Sequence, residues 1–137
     1  MIFKGITDLE HGDKYQGTWV VKENGEQAIH GRGVYIYANG SQYIGWFHEG
    51  DIIGQGRLVF YNGDIYEGYT ENRKYSGKGK YVFGETHPIK GHYEGLFKDG
   101  KITGEGIFKV ESRRPLTKIF GKVEFLQSLN TTLPFNS

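Results

Sequence analysis

Four cations crowd one short stretch of this 137-residue chain: Arg73, Lys74, Lys78 and Lys80. Such a cluster suits an anionic phospholipid headgroup, each charge contributing about 1 kcal/mol near an anionic surface. Glu67, Glu71, Glu94, Asp99 and Glu105 are interspersed with them, so the same side chains also read as a solvated strand face. The histidines offer less. His11, His30, His48, His87 and His92 show no zinc-like spacing with other ligands. No Gly-x-Ser-x-Gly, phosphate loop or His-Glu-x-x-His occurs, and no pair of carboxylates stands apart. The expectation is a chain with no catalytic residue, no cofactor and no metal, a binding protein rather than an enzyme.

Composition narrows the setting. Glycine is abundant at 22 residues, and aromatics are frequent at Tyr 10, Phe 9 and Trp 2. Glycine in excess without a Gly-X-Y period, alongside β-formers, points to many short strands and tight turns. A net charge of +1, from Lys+Arg 17 against Asp+Glu 16, gives no general pull toward nucleic acid. Cys 0 removes disulfides and thiolate sites. No apolar run reaches the roughly 18 residues of a spanning helix. Met1 to Gly5 turns polar too early for a signal peptide. A cytoplasmic protein is expected.

The elements that position these side chains come from a repeat. Tyr15, Tyr43, Tyr66 and Tyr93 are each followed two residues later by glycine, at Gly17, Gly45, Gly68 and Gly95. Each unit then reaches a glycine pair: Gly31 and Gly33, Gly54 and Gly56, Gly77 and Gly79, Gly104 and Gly106. The tyrosine steps are 28, 23 and 27 residues, a 23-residue period with two insertions. Gly5 and Gly12 sit where the second half of a unit would carry them, so residues 1–14 read as a half unit. The array is expected over 1–110, with a cap and tail over 111–137.

Each unit reads as a hairpin. Glu49-Gly50, Asn72-Arg73 and Asp99-Gly100 are two-residue turns, and Glu23-Asn24-Gly25 is a three-residue loop that preserves facing in the first unit. Pairing outward from these turns predicts Gly45 opposite Gly54, and Tyr15, Tyr43, Tyr66 and Tyr93 opposite Gly33, Gly56, Gly79 and Gly106. A tyrosine ring across a strand glycine covers bare backbone. The links Ala38-Asn39-Gly40 and Tyr61-Asn62-Gly63 must be three residues long to set Tyr43 opposite Tyr35 and Tyr66 opposite Leu58. The insertion around His87-Pro88 is even and changes no face.

The expected fold is all-β: an elongated single-layer antiparallel β-meander of nine or ten strands, roughly 40–45 Å long. One face carries the tyrosine row, a row of Trp19, Phe47, Thr70 and Phe97, and further rows ending in Tyr37, Phe60, Phe83 and Val110. With no second layer, Trp19, Tyr37, Phe47, Phe60, Phe83 and Phe97 are candidates for a partner-binding groove. Trp46 points to the other face and offers a second contact. Residues 116–129 fit either a capping strand or a helix, with Gly121 favouring the strand. Residues 130–137 form a tail.

The frame Tyr43-Ile44-Gly45-Trp46-Phe47 to Gly54-Gln55-Gly56, with Tyr93-Glu94-Gly95-Leu96-Phe97 to Gly104-Glu105-Gly106, resembles the MORN repeat, over roughly residues 4 to 110. Trp19 alone keeps tryptophan at the fifth position, and Thr70 lacks an aromatic there. The resemblance implies a solenoid of hairpins with a groove. It also implies a non-enzymatic scaffold or adaptor that binds protein partners within a cytoskeletal, ciliary or axonemal assembly. The alternative is a peripheral membrane module holding anionic phospholipid through Arg73, Lys74, Lys78 and Lys80. Homo-oligomers are compatible with either.

Overall fold

The computed structural model describes residues 1–87 and 89–112. They form one antiparallel sheet of nine strands in strict sequence order: β1 (Ile2–Asp8), β2 (Lys14–Val21), β3 (Gln27–Ile36), β4 (Gln42–His48), β5 (Asp51–Val59), β6 (Ile65–Glu71), β7 (Lys74–Val82), β8 (Ile89–Lys98) and β9 (Lys101–Ser112). A single 3₁₀ turn, Glu10–Gly12, joins β1 to β2. The all-β meander read from the repeat is therefore the observed architecture. The strand-or-helix question over 116–129 and the tail over 130–137 lie outside the described residues.

The turn chemistry explains the strand ends. Asn72 and Arg73 both take positive φ, as do Glu49 with Gly50 and Asp99 with Gly100. Two left-handed residues in a row give the turn whose twist matches that of paired strands. The three-residue loops use another device. Asn24, Asn39 and Asn62 each accept a hydrogen bond from the backbone N–H two residues on, at 3.0, 2.9 and 3.1 Å. Asparagine favours this local bond, and it fixes the loop length that the faces require. Tyr43 accordingly pairs with Tyr35, Tyr66 with Leu58, and Tyr93 with Tyr81.

Within the hairpins the register differs from the regular ladder. His48 pairs with Asp51 and Phe47 with Ile52, but the next step joins Gly45 to Gly56 and Tyr43 to Leu58. A bulge takes up the slack, and the other three hairpins repeat it. The two glycines of each pair thus have separate jobs. Gly31, Gly54, Gly77 and Gly104 take positive φ at the bulge, which L-residues resist. Gly33, Gly56, Gly79 and Gly106 stay in the ladder. The predicted pairing of tyrosine with these second glycines is corrected: it is shifted by two residues, which leaves every face unchanged.

The consequence is one continuous row of glycine across the sheet. Gly17, Gly33, Gly45, Gly56, Gly68, Gly79, Gly95 and Gly106 pair each with the next from β2 to β9. Tyr15, Tyr43, Tyr66 and Tyr93 lie diagonally over this row, each against two of its glycines. Their hydroxyls donate to the carbonyls of Thr18, Trp46, Tyr69 and Leu96 at 3.0, 3.3, 2.7 and 3.0 Å. Buried phenols need such partners. Phe47 stands edge-on between Tyr15 and Tyr43, with both ring centroids 5.3 Å away. Phe97 repeats this between Tyr66 and Tyr93, at 5.2 and 5.4 Å.

The third hairpin departs, and it compensates. Elsewhere an aromatic faces isoleucine across the hairpin: Trp19 with Ile29, Phe47 with Ile52, Phe97 with Ile102. Here Thr70 faces Tyr75. The ring has moved to the opposite strand, where Tyr75 stacks on Tyr66 at 3.9 Å.

Successive units are latched by the polar residue two before Tyr15, Tyr43 and Tyr66; Gly91 holds that place before Tyr93. Asp13 accepts from the Tyr35 hydroxyl at 2.7 Å and the Ala38 N–H at 2.8 Å. Ser41 accepts from the Tyr61 N–H at 3.0 Å. Asp64 accepts from the Tyr81 hydroxyl at 2.6 Å and the Gly84 N–H at 2.7 Å. Where the next unit offers a tyrosine the latch is aspartate. Where it offers Leu58, which has no hydroxyl to accept, the latch is serine.

Burial raises the pKa of Tyr15, Tyr35, Tyr37, Tyr43, Tyr66 and Tyr75 above the usual value near 10. Each therefore keeps its proton in the folded chain after the unfolded chain has lost it. Stability is whole below pH about 10 and falls as pH rises through it, by about 1.4 kcal/mol per pH unit for each tyrosine held fully neutral. Urea midpoints at pH 8, 9 and 11 should be nearly flat over the first step and drop steeply over the second.

Candidate functional site

The six aromatic residues expected to line a groove are not open to a partner. Trp19, Tyr37, Phe47, Phe60, Phe83 and Phe97 are between 3% and 9% exposed in the chain alone. The bulges and the glycine row let the rings sink onto the backbone and onto each other, so one layer suffices to bury them. Trp19 is further covered by Lys4 of β1, whose Nζ lies 4.8 Å over the ring. These residues are the core of the fold.

The cationic cluster is also divided. The Arg73 guanidinium is bound to Asp51, with Nε 2.8 Å from the carboxyl oxygen. Lys80 stands in register between Glu67 and Glu94. Lys74 and Lys78 are exposed. The four residues therefore do not form one uninterrupted positive patch.

The open feature lies on the other face of the sheet. A furrow of about 910 Å³ runs across β3 to β9. Its floor is the backbone of the glycine row, whose Cβ positions belong to the tyrosine face, and the neighbours of those glycines along each strand point up on either side. One wall is a cross-strand row in which Ile44 faces Arg57, Arg57 faces Glu67, Glu67 faces Lys80, Lys80 faces Glu94 and Glu94 faces Ile107. Charges alternate along it, and Arg57 Nε reaches Glu67 at 3.1 Å. The opposite side carries Arg32, Trp46, Gln55, Lys78, Leu96 and Glu105. Trp46 is 49% exposed and Ile107 62%, large apolar surfaces among charged neighbours. Trp46 is legible as an outward tryptophan; the furrow itself needs the register between strands.

One polar cluster was missed at the sequence level. Asp64 is fully buried, and besides its bonds to Tyr81 and Gly84 it holds His87 Nε2 at 2.9 Å from both carboxyl oxygens. His87 belongs to the four-residue insertion, which this contact ties down onto the preceding turn. A histidine 23 residues beyond an aspartate gives no local cue. Among the described residues no group of three or more potential ligands is placed to hold a metal ion, and no helix is long and apolar enough to cross a membrane.

Comparison with known proteins adds one match. The family model of the MORN repeat fits residues 28–42, 43–65 and 93–109. It passes over 66–92, the unit with Thr70, the Asn72-Arg73 turn and the His87 insertion, although the structure keeps that unit in the same glycine row. No curated protein matches the chain.

Proposed function

The chain carries MORN repeats, and on that premise we propose that it is a non-enzymatic scaffold that binds protein partners through the furrowed face opposite its tyrosines. The observation that carries this reading is the furrow itself, with Trp46 half exposed beside a floor of glycine backbone. The aromatic side chains of the tyrosine face are spent on the core, whereas the furrowed face leaves Trp46 and Tyr69 exposed. Bare backbone lets a partner approach closely, the exposed indole gives an apolar anchor, and the alternating wall favours a partner of mixed charge. The setting, a cytoskeletal or ciliary assembly, rests on the family resemblance. Anionic lipid is the competing ligand, and the pairing of Arg73 with Asp51 and the placing of Lys80 between glutamates speak against it.

The test is an affinity capture from native extract at low and high salt, with wild type beside Trp46→Ser. Trp46 lies outside the core, so the variant should unfold at the same urea concentration. A partner retained at high salt and reduced about tenfold by Trp46→Ser supports the reading, an anchor of this kind contributing about 1–2 kcal/mol. Capture that Trp46→Ser leaves intact overturns it. Binding to phosphoinositide vesicles that disappears in high salt and with Lys74→Ala, Lys78→Ala would favour lipid.

A further inference from the structure

We infer that the alternating wall of the furrowed face is self-complementary and that the face's occupant is a second copy of this chain, packed face to face about a two-fold axis parallel to the strands. This rests on the reading of that face as the contact surface. The wall runs Ile44, Arg57, Glu67, Lys80, Glu94, Ile107 on β4 to β9. A two-fold axis passing between β6 and β7 reverses this order and lays the row upon itself. Arg57 then meets Glu94 of the second copy, and Glu67 meets Lys80. At both ends Ile44 meets Ile107, with Trp46 beside it. Along this row every charge finds its opposite and each apolar end finds an apolar end, while on the opposite wall Lys78 comes against Tyr69 and Glu105 against Trp46; each contact occurs twice, as an isologous interface requires.

The dimensions are compatible. Six strands at about 4.8 Å and about nine residues at 3.3 Å give a face on the order of 850 Å², one side of a standard interface. Sheets packed face to face keep their strands aligned within about 30°, which preserves the pairing along the row. The alternation also serves inside each chain, where Arg57 reaches Glu67. The two uses are compatible because a carboxylate accepts from two cations, but they respond oppositely to one experiment.

That experiment is sedimentation velocity of the purified full chain from 5 to 200 µM (about the range in which wet, charged interfaces associate). Three variants are compared with wild type: Arg57→Glu, Glu94→Arg and the double swap. A concentration-dependent dimer is expected for wild type, weakened about tenfold by either single change, since each sets like charges against one another. The double swap restores the intermolecular pair while breaking both intramolecular ones, so recovery of the dimer supports a second copy. A wild-type monomer throughout the range, or a double swap no better than the singles, overturns the inference. If the chain is monomeric yet still captures a partner through Trp46, only the identity of the occupant fails. If neither assembly nor capture responds to this face, the proposed function fails with it. Urea midpoints for all variants separate loss of dimer from loss of fold.

Discussion

Gly56→Ala should destabilise the chain by about 3 kcal/mol, at the upper end of what a single added methyl costs in a well-packed core. A Cβ at Gly56 would fall within the ring of Tyr43, and the ring has no room to move. Phe47 stands edge-on at 5.3 Å, and the Tyr43 hydroxyl is tied to the Trp46 carbonyl at 3.3 Å. Gly45 holds the ring from the adjoining strand. Yielding would forfeit the hydroxyl's bond and the packing of a fully buried side chain together. Gly5→Ala is the control, because nothing lies within 4 Å of a Cβ there. It should change stability by no more than about 0.5 kcal/mol. Equilibrium urea unfolding of both variants decides the matter. Equal midpoints would mean that the tyrosines do not depend on the glycine row.

Asp64→Ala should be the costliest single change among the polar residues, at about 3–5 kcal/mol. It removes the acceptor for the Tyr81 hydroxyl, the Gly84 N–H and His87 in one step, inside a region where no exposed surface of Asp64 remains. Asp64→Asn keeps the shape and one acceptor oxygen but turns an NH₂ toward groups that themselves donate, so about half the loss should remain. Asp13→Ala removes the equivalent latch from a more exposed setting, with two donors instead of three, and should cost about 1–2 kcal/mol. Hydrogen exchange adds the spatial test. Protection of the Gly84 amide should fall in Asp64→Ala, while that of the Ala38 amide should not. If Asp64→Ala and Asp13→Ala cost the same, burial of the latch is not what makes it strong.

Legibility was uneven for physical reasons. The tyrosine spacing, the hairpin turns and the odd-numbered links depend on local chemistry and on a period of two, so the meander and the facing of each residue could be read directly. The bulges could not. A shift of two residues restores the same face, so no hydrophobic pattern records it; the doubled glycines of each unit are the visible sign, but regular pairing outward from the turn places both in the ladder. The exposure of Trp19, Phe47 and Phe97 was misjudged because a single layer suggests open rings, whereas rings from alternate strands meet over the glycines between them. The trade of Thr70 for Tyr75 was visible as a missing aromatic, but its repair on the opposite strand required the pairing.

By itself, then, the sequence determined the repeat, the strand order and which side of the sheet each side chain occupies, because these follow from turn residues and alternation along neighbouring positions. The tertiary structure alone decided the glycine row, the burial of the aromatic face, the Asp64 latch and the charged furrow with Trp46 at its side. Each of those joins residues about one repeat apart, and their meeting depends on register between strands, which the bulges set and local sequence does not encode.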